Sequence, residues 1–199
     1  MGLGSFAIFT GLILTVGLYI ITCLSFYFII RKAGYRNKWM AFMPILSTYK
    51  QLCFVYDYFK GYQVLEGTMP AVKYQDVRRN FVSSATAAYV ILLFVGAFIA
   101  IMLLELSGVV IEDSSIDMIT NITGIIFNAA IGFFILRSFI NKETGEKTSP
   151  LMIFVLIVLG IVTLGLSWIA VYFYFGLNDK HYYVLNLNEL DETEEAPGY

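Results

Sequence analysis

From Phe6 to Ile30 the chain carries no charged side chain. A helix of that length reaches across the roughly 30 Å hydrocarbon core of a bilayer, which needs about 20 apolar residues. Three further runs are nearly as apolar: about Phe81 to Leu106, which reaches Glu105 only at its far end, Ile116 to Leu136, with Asp117 at its start, and Leu151 to Gly176. In lipid every backbone N–H and C=O must be satisfied within the protein, and a helix does so segment by segment. The pattern predicts an all-α membrane protein with four transmembrane helices, at residues 6–30, 81–106, 116–136 and 151–176. Composition agrees: 58% of residues are hydrophobic and 14% charged, against about a quarter charged in soluble domains.

Charge placement orients the spans. Arg31, Lys32, Arg36, Lys38, Lys50, Lys60, Lys73, Arg78 and Arg79 fall between the first and second runs, and Arg137, Lys142 and Lys147 between the third and fourth. The other connection holds Glu112, Asp113 and Asp117, and five acids lie between Glu189 and Glu195. The positive-inside rule puts the basic segments in the cytoplasm. This predicts a multi-pass protein of the plasma membrane, both termini extracytoplasmic. Residues 1–177 form the membrane domain and 178–199 an acidic extracytoplasmic tail. No cleaved signal is expected, since the start lacks a positive n-region.

Residues 39–59 are the ambiguous stretch. They hold Trp39, Pro44, Tyr49, Lys50 and Asp57 among aromatic and aliphatic residues. A fifth span here would bury Lys50 and Asp57 in hydrocarbon, at several kcal/mol each unless paired. It would also move Lys60, Lys73, Arg78 and Arg79 outside, erasing the charge bias. Two alternatives stay open: an amphipathic helix at the inner interface, or a short re-entrant hairpin packed on the spans. Thr68 and Pro70 can start a further helix that continues through Arg79 into the second span.

Lys32-Ala33-Gly34, Trp39, Pro44 and Tyr49 give the chain a likeness. It resembles a family of small multi-span bacterial membrane proteins of unassigned function, sometimes grouped alongside signal peptidases. Lys38 stands where that family tends to have Gly, and Ser47 where it has Asn. The resemblance implies a bacterial membrane protein with this segment inside, and it carries no known active site.

No constellation of side chains names a reaction. The one histidine, His181, cannot build a usual zinc site. Ser83 and Ser84 have only Arg79 nearby, which stays protonated and cannot act as a base. No catalytic, cofactor or metal residue is therefore assigned. Gly124, Asn128 and Gly132 share one helical stripe, as a helix-packing face or a pore lining would, and Glu105 is an acid near the end of its span. The two cysteines, Cys23 and Cys53, give no disulfide framework. The expected role is a non-enzymatic accessory or assembly subunit. Its partners would be the lipid bilayer and other membrane proteins or further copies of itself, with no nucleic acid. The alternatives are a small oligomeric channel or transporter and, more weakly, a membrane-embedded enzyme.

Overall fold

The structure, a computed structural model, describes residues 3–107, 128–163 and 166–185. It is mostly helical, with one small β ribbon. Helix α1 spans Leu3–Lys32. Among the described residues its Ile8–Lys32 portion, with a mean hydropathy of 2.3, is the helix long and apolar enough to cross a bilayer.

After Lys32 the chain turns back rather than lying across the end of α1. Gly34 and Asn37 adopt left-handed backbone, φ 74° and 55°, which glycine and asparagine tolerate best. The short 3-10 turn Lys38–Phe42 then descends beside α1. The Tyr19 hydroxyl donates to the Phe42 carbonyl at 2.6 Å, and the Tyr27 and Phe42 rings lie 6.1 Å apart. Tyr19 precedes Lys32 by thirteen residues, so the tip of this hairpin lies about 20 Å along α1 at 1.5 Å per residue.

Helix α2, Pro44–Lys60, starts at the tip with Pro44 in its first turn and climbs back. Phe54 meets Phe26 and Tyr35 at ring distances of 6.2 and 4.8 Å. Residues 38–60 thus form a hairpin packed on α1. At its tip Trp39, Phe42, Met43 and Ile45 stay exposed, an apolar surface suited to lipid rather than water.

The one-turn helix α3, Tyr62–Leu65, leads into α4, Ala71–Ser107. At 37 residues, α4 is about 55 Å long and contains the expected second span. Helix α5 is described over Asn128–Arg137; the rest of the expected span 116–136 lies outside the described residues. Strand β1, Phe139–Asn141, follows.

The expected fourth span is corrected. Residues 151–176 do not form one helix but two: α6, Pro150–Val162, and α7, Leu166–Leu177. The Thr163 hydroxyl donates to the Leu159 carbonyl and accepts the Ser167 N–H at 3.1 Å, so it closes α6 and caps α7. The chain then folds back. The start of α6 adjoins β1, where Thr148 N–H donates to the Phe139 carbonyl at 3.2 Å. The end of α7 returns there, its Phe175 ring 5.8 Å from Phe139. The Trp168 indole fills a notch in which a Cβ on Gly160 would come 2.5 Å from Nε1 and one on Gly132 2.6 Å from the ring. With 13 and 12 residues, α6 and α7 are each about 20 Å long and reach only part way through a bilayer.

Helix α7 runs alongside α1 in the same direction. Phe26 meets Tyr172 and Phe28 meets Phe173, at 6.1 and 5.8 Å, and Lys32 Nζ donates to the Asn178 carbonyl at the end of α7. Strand β2, His181–Tyr183, then pairs antiparallel with β1 in the register Phe139–Tyr183, Ile140–Tyr182 and Asn141–His181. Residues 137–150 and 178–185 leave the bundle at the same end. Cysteines placed at Glu66, Thr144 and Lys180, all exposed, are therefore expected to react with a membrane-impermeant maleimide from one face only. Labelling of Lys180→Cys from the opposite face contradicts the hairpin.

Candidate functional site

Asp57 sits near the end of α2, its side chain 1% exposed. A buried carboxylate is costly unless its lone pairs are filled, and here four side chains from three other segments converge on it. Tyr35, after α1, donates its hydroxyl to Oδ2 at 2.5 Å. Tyr74 and Arg78, one helical turn apart on α4, reach Oδ1 at 2.8 Å and Oδ2 at 2.9 Å respectively. Tyr183, on β2, donates to Oδ2 at 3.1 Å. The carboxylate thus ties α2 to the end of α1, the start of α4 and the ribbon that follows α7.

Electrostatics reinforce the tie. Burial and then the Asp57 charge push the Tyr35 and Tyr183 phenols well above their ordinary value, and Tyr74 rises for the same reasons. All three stay protonated and keep donating. Burial opposes the charge on Arg78, but Asp57 and the surrounding phenols outweigh it and raise the guanidinium above its usual value. Lys50, also buried, donates from Nζ to the Arg36 carbonyl at 2.7 Å and lies 5.3 Å from the Tyr35 ring centre; burial lowers it. Cys53, one turn before Asp57, is pushed up to about 11 by burial, which leaves little thiolate at neutral pH. The cluster is sealed from solvent and donors fill its carboxylate, so it is built to hold segments together rather than to meet a substrate.

Below this knot lies an aromatic layer. Phe54 packs against Tyr35 and Tyr183 on one side, at 4.8 and 5.3 Å, and Phe26 on the other at 6.2 Å. Phe26 continues to Tyr172, and Tyr172 to Trp168. Beneath the layer, at the tips of both hairpins, is a cavity of about 640 Å³. Tyr19, Thr22 and Ser25 of α1, Ser47, Thr48 and Gln51 of α2, Tyr89 of α4, Asn128 of α5, Gly160 of α6 and Trp168 of α7 all line it. Among the described residues no Asp, Glu, Lys, Arg or His lines it.

The residues singled out by sequence fall in different places. Asp57 and Lys50 are in or beside the knot, while Tyr49 is half-buried on the same helix. Pro44 and Asn128 line the cavity, Gly132 lies under the Trp168 ring, and Trp39 is exposed at the hairpin tip. Gly124 and the Glu105 side chain lie outside the described residues. Cys23 and Cys53 are free and buried. His181 stacks on Phe175 at 4.7 Å. Tyr35, Tyr74, Arg78 and Tyr183 were missed. Among the described residues no three of His, Cys, Asp and Glu gather as a metal would need. No known protein family, curated protein or solved structure matches the chain.

Two expectations follow. Asp57→Asn leaves Arg78 buried without its charge partner and should cost about 3–5 kcal/mol in detergent unfolding. The double variant Asp57→Asn/Arg78→Met should recover part of that loss, and a double variant no better than the single one argues against the pair. Above pH 10 the three phenols ionise in the unfolded chain but not in the folded one. Each then lowers stability by about 1.4 kcal/mol per pH unit. Stability should fall above pH 10, and less steeply in Tyr74→Phe; equal slopes at pH 10–11 contradict the burial of that phenol.

Proposed function

We propose that the protein is a small multi-pass membrane carrier. On this reading it admits a solute to the cavity between its hairpin tips and releases it past the Asp57 knot. α1, α4 and the segment ending in α5 cross the bilayer, while 35–60 and 148–178 enter from one face and return to it. All 13 lysines and arginines then lie towards the face where α1 ends, which the positive-inside rule makes cytoplasmic. The chain after α7 is cytoplasmic too.

The observation that carries the reading is the cavity itself. It lies where two partial crossings meet, with polar side chains from four helices facing it at a depth where polar groups are retained for function. The knot and the aromatic layer separate it from the cytoplasmic end. On this reading they act as a closed inner gate, and the solute enters from the other side. The accessory-subunit role expected from sequence has no comparable feature behind it.

In proteoliposomes the protein should accelerate uptake of small solutes over protein-free vesicles. Tyr183→Phe removes one hydrogen bond to a charged group from the gate, worth about 1.5–3 kcal/mol, and should raise the rate roughly tenfold or more. Uptake equal to that of empty vesicles, for the wild type and for Tyr183→Phe, overturns the carrier reading.

A further inference from the structure

We infer that the cavity binds a small uncharged solute rich in hydrogen-bond donors, with polyols as its class. The inference rests on the carrier reading only for the solute's passage; the binding site stands on its own walls.

Four hydroxyl protons of the cavity walls are already committed. Tyr19 donates to the Phe42 carbonyl, Thr22 to Leu18, Ser25 to Thr22 and Thr48 to Pro44, at 2.6, 2.8, 2.7 and 3.1 Å. A hydroxyl has one proton and two lone pairs. Once the proton points into the backbone, only lone pairs remain for a guest. Four wall hydroxyls therefore present themselves as acceptors, and a guest satisfies them by donating.

Charge is disfavoured from both directions. Among the described residues the walls carry no Asp, Glu, Lys, Arg or His, so an ion here would be desolvated without a counter-charge from them, which costs far more than a neutral group. At the second hairpin α6 ends and α7 starts, and their partial charges of opposite sign largely cancel. Trp168, Phe26 and Tyr172 supply flat apolar faces on which the C–H side of a polyol can lie. A volume of about 640 Å³ exceeds a three-carbon polyol and its hydration.

Fluorescence tests this directly. In Trp39→Phe, Trp168 is the sole remaining tryptophan and reports on the cavity. In detergent, glycerol and erythritol should shift its emission saturably. 1,2,3-Trimethoxypropane, which keeps the oxygens of glycerol but has no donors, should not, and neither should choline or propionate. In the same background Thr22→Val and Thr48→Val, which keep side-chain shape and remove the acceptor, should each weaken glycerol binding roughly tenfold. Circular dichroism melts confirm that the variants remain folded. A response to the trimethyl ether equal to that of glycerol, or to either ion, overturns the inference, as does no response to either polyol. Polyol binding without vesicle uptake removes the carrier reading and leaves the site. Uptake of other solutes without polyol binding does the reverse.

Discussion

A single buried carboxylate sets the shape of the end of the bundle at which α1 finishes. Asp57 accepts from Tyr35, Tyr74, Tyr183 and Arg78, and no two adjacent helices could supply that set. The chain has to return to the same end of the bundle after each excursion so that these side chains can meet. If the segment after α7 left on the other side, Tyr183 would be a bilayer away. The cost of leaving a buried charge unpaired, several kcal/mol, is of the same order as the whole stability of a domain of this size. The topology and the knot therefore depend on each other.

The two hairpins solve the same problem in different ways. The first uses left-handed backbone at Gly34 and Asn37 and a proline at the start of its returning helix. The second uses Thr163 as a shared cap and a tryptophan seated on two glycines. In both, the turn exposes backbone at a depth where lipid cannot satisfy it. Tyr19 covers one turn by donating to Phe42, and Thr163 covers the other. The cavity is the space left where the two turns meet, and its hydroxyls are drawn largely from side chains that satisfy backbone groups nearby.

Much of this was legible in the sequence, and the limits have physical causes. The uncharged run ending at Arg31 marked α1, and Pro70 marked the helix that runs on as α4. Charge counting rejected a fifth crossing at 39–59, and the same bookkeeping left re-entry open. The run 151–176 misled because hydropathy responds to the solvent around a segment, not to its direction: one crossing and a folded-back pair have the same composition. The cues were Thr163 and the eight-residue spacing of Gly160 and Trp168, each weak alone. Of the knot, Asp57 stood out as a polar residue in an apolar stretch. Its partners did not, because they lie 17, 21, 22 and 126 residues away and three of them are drawn from 14 tyrosines. No local periodicity encodes such a meeting.

Tyr183 donates to Asp57, and this bond helps join the segment that follows the second hairpin to the first. A double-mutant cycle of Asp57→Asn and Tyr183→Phe, read by reversible unfolding in detergent, measures that contact. Hydrogen bonds to charged groups contribute about 1.5–3 kcal/mol, so a coupling energy of at least about 1 kcal/mol is predicted. Effects that add to within about 0.3–0.5 kcal/mol, as separated sites do, contradict the fold described.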